Sequence, residues 1–173
     1  VIPVVHEIIP VSLQTMRLDV DRSGHDALIT GDNLRADVAA EFYIKVQKIK
    51  EHILAAATSL GERSVDAESV KHLVNQKLVS ALRTVAATRP LHELHTKRDE
   101  FAQAVQVIVE KDLAHNGLTL ESVTISRLDQ TPPNAMRGED NVFDAQGLRT
   151  IAEITQRQRV ERNQIEREAD QRV

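Results

Sequence analysis

The sequence predicts an α+β fold: an antiparallel sheet with packed helices, followed by one long exposed C-terminal helix. Three observations predict it. Leu34, Ala36, Val38, Ala40, Phe42, Ile44 and Val46 are apolar at every second position, the mark of a strand with one buried face. From Ile49 to His115 the apolar residues instead recur at three- and four-residue spacing, which is helical. From about Gly138 onward the composition shifts. Residues 149 to 173 are rich in Arg, Glu and Gln, and no Pro or Gly follows Gly147.

The elements follow in order. Val1 to Ile9 is an apolar, β-branched run interrupted by Pro3, His6 and Glu7. It predicts a strand buried on both sides, the alternative being a strand that dips into a bilayer interface. Val11 to Val20 predicts a second strand, nearer period two than 3.6. Arg22-Ser23-Gly24 reads as a turn and Ala27 to Thr30 as a short strand. Gly31-Asp32-Asn33 reads as a tight hairpin turn, because Gly and Asn tolerate positive φ. The clear strand from Leu34 to Val46 comes next. A first helix carries Ile49, Ile53, Leu54, Ala56 and Ala57 and ends at Leu60-Gly61. A second starts at Asp66, carries Val70, Leu73, Val74, Leu78, Ala81, Leu82 and Val85, and ends at Arg89-Pro90. A third runs from about Leu91 to His115 and stops at Asn116-Gly117. Leu118, Leu120, Val123, Ile125 and Leu128 predict a last strand, with a slip of parity between Leu120 and Val123.

Thr131-Pro132-Pro133-Asn134 is the expected boundary. It divides the chain into a head over 1–131, a Pro-containing break over 132–138 and the start of a coiled-coil-like helical stalk over 139–173. A helix from Glu139 to Val173 would span roughly 50 Å. Its apolar stripe is thin: Leu148, Ile151, Ile154, Val160, Ile165, Ala169 and Val173. A helix this polar is marginal alone, so neighbouring helices must support it; the plainer alternative is a frayed charged tail. Leu148, Ile151, Ile154, Ile165 and Ala169 are therefore the residues expected to contribute to self-association.

Composition excludes several classes of function. The 173 residues are 41% apolar and 28% charged, enough to bury a core without staples. Aromatics are 2%, Trp is absent and the net charge is −4, which is not the footprint of a nucleic-acid binder. The absence of cysteine removes disulfides, cysteine nucleophiles and thiolate metal sites from this segment. No apolar run approaches the ~20 residues of a membrane span, and none of these residues is expected to form a signal peptide. The chain begins at Val1 rather than Met, so a removed upstream segment is expected, one with room for an anchor.

Neither a phosphate-cradling glycine loop nor a nucleophile elbow is present. His92-Glu93-Leu94-His95 is one residue short of a zinc signature, with Asp99 four residues on, and could place two imidazoles on one helix side. Its position just after Pro90, at a helix start with no further ligand cluster, favours ordinary surface histidines. Asp19, Asp21 and Asp26 lack the ligand spacing of a calcium loop and read as turn-forming acids. His6-Glu7 reads as a solvent-facing position on an edge strand, rather than as a pH-sensitive contact. No catalytic site, cofactor or metal is expected.

Three stretches carry a resemblance: Val11-Ser12-Leu13-Gln14-Thr15-Met16-Arg17-Leu18, Ala27-Leu28-Ile29-Thr30-Gly31-Asp32-Asn33-Leu34 and Ala40-Glu41-Phe42-Tyr43-Ile44-Lys45-Val46. With the order of elements, they resemble the SPFH or band-7 family of stomatins, prohibitins and flotillins, most closely its bacterial inner-membrane flotillin-like members. The resemblance implies a non-enzymatic scaffold at the bacterial inner membrane, with its head on the cytoplasmic face and an N-terminal anchor in the bilayer. It implies many copies associating side by side into large assemblies that organise membrane microdomains or enclose membrane-protein clients. It also implies an alternative, a regulatory module that binds and gates a membrane protease or transporter.

Overall fold

The computed structural model describes residues 8–132 and 142–170, except the side chains of Ser64, Phe143 and Asp170. Four strands form one antiparallel sheet: β1 (Met16–Arg22), β2 (Leu28–Ile29), β3 (Arg35–Val46) and β4 (Leu118–Gln130). The described residues also form five α-helices: α1 (Lys50–Ser59), α2 (Ala67–Ala86), α3 (Leu91–Thr96), α4 (Arg98–Ala114) and α5 (Val142–Asp170). The predicted α+β class with a long C-terminal helix is what the chain adopts.

The long strand β3 is the axis of the sheet. β1 and β2 pair along one of its edges and β4 along the other. Its residues alternate between half-buried and buried along the whole length, so the period-two pattern maps directly onto the pleat. Leu18, Val38, Phe42, Ile44, Leu120 and Leu128 build the apolar face of the sheet. Val74, Leu78 and Leu82 of α2 and Phe101, Val105 and Val109 of α4 join the same buried cluster, which makes a two-layer core. Each large side chain buried here contributes about 1.5–3 kcal/mol of transfer free energy. Within the helical layer, Lys77 of α2 donates to the Asp112 carbonyl of α4 at 3.0 Å.

The expected parity slip is a β-bulge. Ile44 faces Leu120 and Tyr43 faces Ser122, so Glu121 is the extra residue. A second shift, between the Ala40–Ile125 and Ala39–Arg127 pairs, leaves Ser126 over, and its hydroxyl donates to the Ala39 carbonyl at 3.1 Å.

Three expectations need correction. The strand read from Val11 begins only at Met16. The single helix from Leu91 to His115 is two helices, broken at Lys97, whose φ of −112° and ψ of 50° leave the helical region. Leu94 and Phe101 are seven residues apart and stay in phase across the break, so the apolar stripe carries no sign of it. Finally, Ile8 and Ile9 lie outside any strand and are exposed; the rest of the strand expected over Val1–Ile9, including His6 and Glu7, lies outside the described residues.

Asp66 caps α2 as its residue type predicts. Its side chain accepts the Ser69 N–H at 2.9 Å, and hydrogen bonding from Ser69 holds its pKa below the usual carboxylate value of 3.8. A carboxylate whose pKa is depressed on folding adds stability above its unfolded pKa and loses it as pH falls through the folded value. Asp66→Ala should therefore melt at a lower temperature than the parent chain near pH 7. The gap should close in acid, below both pKa values. Thermal unfolding followed by circular dichroism across that range checks this.

Candidate functional site: the joint between the sheet and the C-terminal helix

The turn between β2 and β3 is where the chain's distant parts meet. Asn33 adopts a positive φ of 60°, which Asn tolerates better than most side chains. The Thr30 N–H donates to the Leu34 carbonyl at 2.9 Å, closing the turn. The Gly31 N–H reaches the Arg89 carbonyl at 2.8 Å. The Asp32 carboxylate accepts the Leu91 N–H at 3.2 and 3.3 Å, at the start of α3. The turn is thereby pinned to the α2–α3 connection.

The first turns of α5 sit against this turn. Arg35, at the start of β3, forms an ion pair with Asp144, and the two side chains are 12% and 5% exposed. Arg35 also donates to the His25 carbonyl at 3.1 Å. One turn further along α5, Gly147 lies so close to the hairpin that a Cβ there would stand 3.0 Å from the Asn33 carbonyl oxygen. One turn beyond that, Ile151 is half-buried against the core of the head. The next, Ile154, borders a cleft of about 530 Å³ with Asp32, Leu34, Leu91 and Leu128.

This arrangement divides the five residues expected to self-associate. At about 100° per residue, Leu148, Ile151, Ile154, Ile165 and Ala169 fall within roughly 120° of the helix circumference. Asp144 and Gly147 fall inside the same sector, so the face that docks on the head is the face that carries the stripe. Leu148 and Ile151 are half-buried. Ile154 is 49% exposed and Ile165 67%, and Ala169 is exposed too. Val160, which the sequence also assigned to the stripe, lies off this sector, on another flank. Asp144 and Arg35 were not legible as partners, because 109 residues separate them. Gly147 did leave a signal: an isolated glycine in a polar helical run often marks a close approach.

The remaining candidates lie on the surface. His92 and His95 are exposed and line the cleft below Ile154. Among the described residues no group of three or more His, Cys, Asp or Glu could hold a metal. Asp19 and Asp21 are committed to Arg17 at 2.9 Å and Arg127 at 3.0 Å on the outer face of the sheet. That face is a self-paired polar surface. Asp19 beside Arg17 raises the guanidinium's pKa, and hydrogen bonds from Lys45 and then Thr15 lower that of Glu121. Exposed pairs of this kind hold little stability and leave few unmatched charges for a ligand. Among the described residues no helix is long and apolar enough to cross a membrane.

A sheet layered on helices, with a long polar C-terminal helix pinned at one corner, defines an α+β protein. The chain belongs to the SPFH domain / Band 7 family, whose pattern it matches over residues 1–167. It is 42% identical to the flotillin family inner membrane protein YqiK of Escherichia coli over 170 residues, 98% of this chain and 31% of that protein. It is 34% identical to the flotillin family inner membrane protein sll1021 of Synechocystis, over 96% of this chain and 24% of that protein. Flotillin-1 of Drosophila melanogaster is 25% identical over 91% of this chain and 34% of its own length. The chain thus spans about a third of the first relative and a quarter of the second.

Proposed function

We propose that this chain is the head and first stalk segment of a flotillin-like membrane scaffold that self-associates and has no catalytic activity of its own. The observation that carries the reading is the apolar face of α5, which continues past the head. Ile154 and Ile165 stand on it largely uncovered, on a helix of 29 residues. Residues 152–169 are otherwise exposed, and a helix so polar gains little from standing alone. Parallel copies laid side by side would cover Ile154, Ile165 and Ala169, while the mixed Arg and Glu flanks would set their register. In this reading the head covers 1–131, the break 132–138 and the stalk 139–173.

The membrane assignment is supported by the names of the two bacterial relatives, both inner membrane proteins. On that footing the head lies at the inner membrane; the flotillin resemblance further implies its cytoplasmic face, with the bilayer and membrane-protein clients as partners, and the acidic, aromatic-poor composition speaks against nucleic acid. Mass photometry of the full-length protein in mild detergent tests the reading. The expected result is a discrete particle of many copies. A monomer or dimer as the sole species would overturn it.

A further inference from the structure

We propose that the β2–β3 turn is a latch that sets the direction in which α5 leaves the head, so that head and stalk helix move as one lever. Its existence does not depend on self-association; only its use in assembly rests on the reading above.

Three contacts of different kinds converge on one face of α5. The Arg35–Asp144 pair is nearly buried although α5 is otherwise dominated by solvated charge. Removing either partner strands the other charge in a place water barely reaches, so the pair holds one arrangement rather than many. The approach of Gly147 to the Asn33 carbonyl is set by the missing side chain, because a Cβ at 3.0 Å would force helix and turn apart by a few tenths of an ångström and a larger side chain by more. Ile151 adds a half-buried apolar contact with the core. Asp144, Gly147 and Ile151 are spaced by three and four residues, which puts all three against the head at once.

The receiving side is rigid. Arg35 opens the central strand and is held by the His25 carbonyl, while Gly31 and Asp32 fasten the turn to the α2–α3 connection. A helix clamped at three successive turns to such a base cannot swivel about its first residue. The contact is also narrow. It ends where Ile154 emerges, so little apolar area backs it up, and loss of one charge or one bulky side chain at Gly147 is enough to release it.

The absence of cysteine makes the test direct. Spin labels at Val107→Cys on α4 and Gln158→Cys on α5 report the angle by double electron–electron resonance on the 173-residue chain. Labelled chains are diluted with unlabelled ones so that only distances within one chain are read. The unaltered joint should give a single narrow distance distribution. Asp144→Asn and Gly147→Leu should each abolish that narrow distribution while the head melts as before. Gly147→Leu carries the test by itself should the charge variant unfold. A broad distribution in the unaltered chain would overturn the proposal, as would an unchanged narrow one in folded Gly147→Leu.

Discussion

Gly117→Ala should be the most damaging single-methyl substitution in the head, costing more than about 3 kcal/mol and lowering the melting temperature by about 10 °C. Two effects add. Gly117 has a φ of +69°, a conformation that costs an L residue about 1 kcal/mol or more. Its Cβ would also stand 2.2 Å from the His52 carbonyl oxygen and 2.7 Å from the Ala56 backbone nitrogen. Both are backbone atoms of α1, so no rotamer change relieves the clash and the helix itself must move. Ala56 is fully buried, so that shift reaches the core. Gly24→Ala is the internal control. Gly24 has a φ of +59° but nothing within 4 Å of its Cβ position, so only the strain remains, about 1 kcal/mol. Urea unfolding of the two variants should separate clash from strain. Equal stabilities would mean that α1 does not rest on Gly117.

The paired change Ile154→Asp and Ile165→Asp should dissolve the large particle of the full-length protein into single chains or small oligomers, with the head melting at its parent temperature. Both side chains are about half exposed or more in the isolated chain, so neither aspartate disturbs the core. Between copies, each would bury an unpaired carboxylate at a cost of about 3 kcal/mol or more per contact. The two positions are eleven residues, about three turns, apart and face nearly the same way, so they act on one interface. Ile151 is a poorer target, because it packs on the core of its own head and its replacement would confound assembly with the joint. An unchanged particle mass with an unchanged head would remove α5 as the element that joins copies.

The two experiments on α5 read different halves of one stripe, and this is where sequence reasoning reached its limit. Periodicity placed Leu148, Ile151, Ile154, Ile165 and Ala169 on a common face, but it could not say what that face touches. A helical stripe looks the same whether it meets the chain's own head or another copy. The head takes the part of the stripe that follows Asp144 and Gly147, and Ile154 onward is left to solvent.

Gly117 shows the same division. Asn116-Gly117 was legible as the end of a helix, since glycine there relieves a local backbone constraint. That α1 lies within van der Waals reach of it was not, because His52 and Ala56 are some sixty positions upstream. Local features of this kind were determined by the sequence alone: the period of β3, the Asp66 cap, the slip of parity between Leu120 and Val123, the thin stripe on α5. Each depends on residues within a turn or a strand of one another. Only the tertiary structure decided the break at Lys97, the second bulge at Ser126 and the joining of Arg35 to Asp144. A parity change needs a partner strand to fix its register, and an ion pair across 109 residues leaves no periodic trace in either segment.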